Sequence, residues 1–198
     1  MDNKKVLALE LATDPRWVNL AEMSLEDILT DHAYCEQKAA ISCISLISKY
    51  PEKELLIEQL APVVSEEWAH FRQVLRELKK RGLKLGWQRK DLYVNQLLKF
   101  GQKTGNRDAD LLDPLIICAM IEARSCERFR LLSLHISDAE LREFYHQFMV
   151  AEAAHYKLFL GLAEHYFGAE ISRQRWKACL KFEAELLANM EIRADRMH

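Results

Sequence analysis

Glycine and proline are scarce, six and four among 198 residues. Punctuation that sparse excludes a fold of many short strands and turns. Long stretches carry a 3.6-residue apolar period instead, which makes the chain all-helical. The five cysteines (35, 43, 118, 126 and 179) are odd in number and include no Cys-x-x-Cys. A disulfide framework and a thiolate metal site are both disfavoured, and the thiols read as reduced small hydrophobes of a cytoplasmic protein. No run of about 18 apolar residues occurs, so no span or membrane partner is expected. The apolar stretch near the start is interrupted by Glu10 and Asp14 and is too short for a signal peptide. Neither charge sign dominates, at a formal net charge of −2. With 49% apolar and 29% charged residues, the chain has the composition of a globular protein and enough length for one domain over residues 1–198.

The periodicity predicts a first long helix from about Ser24 to Tyr50, closed by Pro51, and a second from about Glu52 to Arg81, stopped by Gly82 and bent near Pro62. A third is expected over about Ala109 to Leu134, a fourth from Ser137-Asp138 to Gly168, and a last over about Ser172 to Arg193. Between the second and third lie some 25 residues, Leu83 to Asp108, with a short helix near Asp91 to Lys103. That segment is long enough for a crossover between two helical hairpins.

Two copies of one pattern dominate these helices. Glu36 is followed by Glu67-Trp-Ala-His70, and Glu122 by Glu152-Ala-Ala-His155. Each member of the second copy lies 85 or 86 residues after its counterpart. Residues three apart share a helix face, so each Glu-x-x-His can aim a carboxylate and an imidazole at one point. All six residues interrupt apolar stripes: Leu29, His32, Glu36, Ala40, Cys43 on the first helix; Leu60, Val63, Glu67, His70, Phe71 on the second; Leu115, Ala119, Glu122, Cys126 on the third; Phe148, Glu152, His155, Phe159 on the fourth. Four carboxylates and two imidazoles from four helices are the ligand set of a dinuclear centre in a ferritin-like bundle, and two divalent cations would offset the burial of four negative charges. One Glu-x-x-His alone is weak, because both residues are ordinary on solvated faces; two matched copies on apolar faces are not. Hard oxygen donors with two imidazoles suit iron or manganese.

Two glutamates compete for these roles. Glu66 adjoins Glu67 but has no histidine three residues on. Glu127 would stand 25 residues before Glu152, against 31 between Glu36 and Glu67, so Glu122 fits better. His32, one turn before Glu36, is a core histidine or a group behind the ligands. Tyr34, Tyr93 and Tyr145 read first as packing residues and second as hydrogen-bond partners or oxidisable groups near the site.

The segment 76–90 carries Arg76, Lys79, Lys80, Arg81, Lys84, Arg89 and Lys90 against one acid, Glu77, a local balance of +6. It reads either as a solvated helix end or as a patch for phosphates, with Trp87 available to stack on a base or to cover the bundle. Lys79, Lys80, Arg81, Lys84, Trp87 and Arg89 are the candidate nucleic-acid contacts. Arg124, Arg128 and Arg130 on the third helix are open to the same two readings.

With the six ligands placed, nearly the whole chain resembles the tRNA-(2-methylthio-N6-isopentenyladenosine) hydroxylases, bacterial non-haem di-iron monooxygenases. The resemblance rests on Tyr34-Cys-Glu36-Gln-Lys-Ala-Ala, Glu66-Glu-Trp-Ala-His70-Phe, Leu92-Tyr-Val-Asn-Gln-Leu-Leu, Ile121-Glu-Ala-Arg-Ser-Cys-Glu-Arg-Phe129 and Ala151-Glu-Ala-Ala-His-Tyr156. It implies a ferritin-like four-helix bundle with a long crossover and an added C-terminal helix. It further implies two iron ions on Glu36, Glu67, His70, Glu122, Glu152 and His155. The implied reaction is O2-dependent hydroxylation of the isopentenyl chain at tRNA position 37, in the anticodon loop. An external electron donor, a reductase or ferredoxin, follows, since no flavin or nicotinamide motif is present. The rival readings are a quinone hydroxylase, which would dock on membranes, and a ferroxidase or iron store, which would need a cage where this enzyme is expected as a monomer or dimer.

Overall fold

The computed structural model describes residues 6–191. Among them are seven α-helices, three single 3-10 turns and no strand. The helices are α1 (Arg16–Met23), α2 (Leu25–Lys49), α3 (Glu54–Lys80), α4 (Leu92–Leu97), α5 (Leu112–His135), α6 (Ala139–Phe167) and α7 (Ala169–Ala188). No described helix is long and apolar enough to cross a membrane. By contact the described residues divide into two compact units, one of residues 19–90 and one of residues 6–18 together with 91–191.

In the Asn19–Lys90 unit, α2 packs on α3 across the short turn at residues 50–53. Ser24 occupies the N-cap position of α2, but its side chain makes no cap hydrogen bond. Pro62 is accommodated inside α3, which continues through it for another 18 residues to Lys80. The seam is apolar: Leu29, Ala33, Leu56, Leu60 and Val74 are fully buried. Each buried leucine there contributes about 2 kcal/mol from area removed from water. Gly82 ends α3 in the left-handed region (φ 69°), where the Leu83 N–H reaches back to the Leu78 carbonyl at 2.9 Å.

The second unit is built around α5, buried on nearly every side from Leu115 to Phe129 and packed on α6 and α7. The Asp138 carboxylate caps α6 by accepting from the Glu140 and Leu141 N–H groups at 2.8 and 3.1 Å. Gly168 (φ 81°) makes the sharp junction to α7. Asp113 secures the chain entering α5: it accepts from the Gln102 N–H at 2.8 Å and from Arg175 of α7 at 2.5 and 2.7 Å. Arg175 also lies over the Phe100 ring, 3.8 Å from its centroid.

The expected helices agree with these within a few residues, with three differences. α1 was not expected: two turns are too few to show a period, although Asp14 accepts from the Arg16 N–H at 2.9 Å and starts it. The short crossover helix is α4 plus one 3-10 turn and stops at Phe100 instead of Lys103, with Asp91 as its cap. The last helix begins at Ala169 and ends at Ala188; the expected end at Arg193 lies outside the described residues.

Candidate metal centre

The Asn19–Lys90 unit brings Glu36, Glu67 and His70 together. Each offers a donor atom, and the three atoms lie within 4.8 Å of one another. Glu36 and Glu67 are 3% and 1% exposed, so two carboxylates face each other away from water. His70 Nδ1 stands 3.2 Å from Glu36 Oε2 and 3.5 Å from Glu67 Oε2. Burial, and then the charge of Glu67, raise the Glu36 carboxyl well above its ordinary range. Burial alone would lower His70, but hydrogen bonds to Glu36 and Glu67 and their charges push it up to about 10. Protons thus take the place that a dication would take among the same donors.

Two neighbours surround this trio. His32 is fully buried, with Nε2 2.9 Å from Glu36 Oε1, and burial presses its pKa down to about 3. A neutral imidazole therefore packs its Nε2 edge against the Glu36 carboxylate. Glu66 is half-exposed, and its Oε1 lies 3.9 Å from His70 Nε2, on the side of the ring away from Glu36 and Glu67.

The second unit brings Glu122, Glu152 and His155 together by the same measure, with donor atoms within 4.8 Å of one another. All three are at most 5% exposed. Cys118 and Cys126 lie one turn either side of Glu122. Burial and then the Glu122 charge push the Cys118 thiol up to about 12, while burial takes Cys126 to about 11 and its Sγ–H donates to the Met149 carbonyl at 3.3 Å. Both are neutral thiols beside an oxygen and nitrogen donor set.

Glu127 is occupied elsewhere. It accepts from the Thr13 N–H at 3.0 Å, from the Thr13 hydroxyl at 2.6 Å and from Arg124. Arg124 is wholly buried and donates to Glu183 of α7 at 2.8 and 2.9 Å and to the Leu11 carbonyl at 2.9 Å; the Tyr93 hydroxyl adds a bond to Glu183 at 3.0 Å. Arg128 lies over the Trp17 ring at 4.9 Å. Arg124 and Arg128 are therefore internal, and only Arg130 of the three α5 arginines is exposed. The network joins the N-terminal segment, α4, α5 and α7. Sequence reasoning missed it, because its partners lie up to 114 residues apart. Of the three tyrosines, Tyr145 is fully buried and stacks on Phe129, and Tyr34 is half-buried with its hydroxyl on the Gly86 carbonyl at 3.0 Å.

The basic segment is only partly available. Arg81 pairs with Glu77 at 2.6 Å, and Arg89 pairs with Asp27 of α2. Lys79, Lys80 and Lys84 are exposed, and Trp87 is 93% exposed. Trp87 thus does not cover the bundle.

The family model for tRNA-(MS[2]IO[6]A)-hydroxylase (MiaE) matches residues 2–198. The chain belongs to that family. Among curated relatives, a tRNA 2-(methylsulfanyl)-N(6)-isopentenyladenosine(37) hydroxylase of Pseudomonas putida is 40% identical over 154 residues, covering 78% of this chain and 74% of the relative. The Salmonella typhimurium protein of the same description is 27% identical, covering 95% and 85%. Among solved structures, a Synechococcus protein described as having aldehyde deformylating oxygenase activity superposes with a TM-score of 0.89 at 33% identity, over 96% of this chain and 94% of that one. The family's fold here is the ferritin-like, all-α bundle expected from the ligand spacing, with the crossover between α3 and α5 and α7 as the added helix.

Proposed function

We propose that this chain hydroxylates the isopentenyl group of 2-methylthio-N6-isopentenyladenosine at position 37 of tRNA, using O2 and a di-iron centre held by Glu36, Glu67, His70, Glu122, Glu152 and His155. Four carboxylates and two imidazoles are the ligand set of one such centre in a ferritin-like bundle. The observation that carries the reading is the pairing of two buried carboxylates, Glu36 and Glu67, with His70 in a chain of this family. Buried acids at such separations cannot all ionise without a cation, and oxygen with imidazole donors suits ferrous iron.

Bound there, two ferrous ions would supply the reducing electrons for O2 and the oxidising power to take hydrogen from an unactivated C–H bond. The protein's own part is separable from that chemistry. The four glutamates balance the charge of two dications, and His70 and His155 must be neutral to donate. His32 packs against Glu36, with Nε2 2.9 Å from Oε1, and so limits how that carboxylate turns. Phe148 and Phe159, one turn before Glu152 and one turn after His155, are each 1% exposed and keep water from the α6 donors. One atom of O2 would enter the C–H bond and the other leave as water with two protons, and a reductase or ferredoxin would restore the two electrons spent in each turnover. Phosphates of the anticodon loop are held by Lys79, Lys80 and Lys84, with Arg81 and Arg89 contributing less because Glu77 and Asp27 already pair with them. The enzyme works in the cytoplasm as a monomer or dimer.

The test is mass spectrometry of nucleosides from prenylated tRNA incubated with iron-loaded protein, reductant and labelled O2. Gain of one labelled oxygen on the prenylated nucleoside is expected. An unmodified nucleoside with fully loaded, reduced protein contradicts the proposal.

A further inference from the structure

Residues 83–90 leave α3 as an extended strap without helix or strand. Four contacts tie it to one side of α2. The Lys84 N–H donates to Glu26 Oε1 at 3.0 Å, the Gly86 N–H to Thr30 Oγ1 at 3.1 Å, the Tyr34 hydroxyl to the Gly86 carbonyl at 3.0 Å, and the Arg89 guanidinium pairs with Asp27. Positions 26, 27, 30 and 34 follow a helical stripe, so the strap lies along α2 and both polar groups of Gly86 are fixed. The next residue, Trp87, is the most exposed large hydrophobic residue described, at 93%. A tryptophan can be buried for about 2–3 kcal/mol, yet this one extends into solvent from a backbone that is fixed on both sides.

The charge around it has one dominant sign. Lys84 and Lys90 flank Trp87 on the strap, and Arg76, Lys79 and Lys80 lie at the end of α3. The acids facing the strap, Glu26 and Asp27, are turned to its backbone and to Arg89, and Glu77 is turned to Arg81. An acidic or apolar protein partner would meet either the indole or the cations alone. A splayed, single-stranded loop of RNA offers both counterparts at once, a base with two free faces and phosphates on either side.

We propose that the 83–90 strap is a preformed RNA-docking arm on which Trp87 stacks against an unpaired base while Lys79, Lys80 and Lys84 hold the neighbouring phosphates. The proposal rests on the tRNA reading given above and adds to it the group that distinguishes loop from duplex. Holding the strap by Thr30, Tyr34 and Asp27 means that little backbone ordering is left to occur on binding.

The test is a binding titration of the full chain with an unmodified anticodon stem-loop RNA and with a blunt RNA duplex of equal length, over a salt series. Trp87→Ala should bind the stem-loop roughly tenfold more weakly, the factor expected for one lost base stack. Trp87→Phe should retain most of the affinity. Neither change should alter the salt slope or duplex binding, since no phosphate contact is removed. Thr30→Val, which removes the acceptor for Gly86, should weaken the stem-loop by a smaller factor at the same slope. Trp87→Ala with unchanged stem-loop affinity overturns the proposal, as does an equal loss for loop and duplex. Slower reduction by an electron-donor protein with unchanged RNA affinity also overturns it and moves the surface to that partner. The hydroxylase reading fails separately: stem-loop binding that needs Trp87, with no oxygen gained by prenylated tRNA, would sink that reading and leave the arm standing.

Discussion

Replacing Glu127 with glutamine separates the stability of this fold from its metal chemistry. The sequence offers Glu122 and Glu127 as rivals for one ligand position, and the structure turns Glu127 towards Thr13 and Arg124. Its carboxylate answers three donors in a region where Arg124 is 0% exposed. An amide of the same shape presents an NH2 group to at least one of those donors and leaves Arg124 facing a single carboxylate, Glu183. Removing one partner of a buried, hydrogen-bonded charge pair costs about 3–5 kcal/mol. For a chain of this length each kcal/mol lowers Tm by about 2–4 °C, so Glu127→Gln should lower Tm by roughly 10 °C. Glu122→Gln should do the reverse, removing iron while leaving the metal-free Tm within a few degrees of wild type. Calorimetry of the metal-free proteins and iron analysis of the loaded ones supply both readings. Loss of iron in Glu127→Gln with little change in Tm would refute the assignment and return Glu127 to the ligand set.

Further expectations concern protons, charge and capping. In the metal-free protein, His70 has a folded pKa raised to about 10 against an ordinary value near 6.5. Its stabilising contribution is therefore complete below pH 6.5 and lost as pH rises through 10, and metal-free stability should decline over that window in thermal melts. Because the raised Glu36 and His70 must release protons to coordinate, iron affinity should rise with pH over the same range, with proton release seen by calorimetry in two buffers. Changing Lys79, Lys80 and Lys84 together to alanine should weaken tRNA binding for all sequences and flatten its salt dependence; an unchanged slope would exclude the patch. Asp138→Ala removes a cap that accepts from two N–H groups, and should cost about 1 kcal/mol without changing iron content.

What could be read from the chain alone has a physical pattern. Glu36, Glu67, Glu122, Glu152 and His155 stood out because each breaks an apolar stripe at helical spacing, and all five are buried. His70 breaks its stripe as well, yet it stays at the edge, with its ring 13% exposed. The long helices were visible because 24 to 29 residues repeat their period several times, whereas α1 has only eight residues. Nothing local marks Glu127 as structural, since its choice of Thr13 depends on a segment 114 residues away. The same holds for the basic segment: composition gave its charge, but the pairing of Arg89 with Asp27, 62 residues earlier, reduces the part of it that can meet phosphate.

The most direct measurement is the iron stoichiometry of wild type beside Glu67→Ala and His155→Ala, read together with Mössbauer spectra of the loaded proteins. Two ferrous ions per chain in one coupled centre, with either single substitution abolishing the coupled signal, is the result expected if both trios build one site. Uncoupled iron, or a coupled pair that survives either substitution, would contradict it.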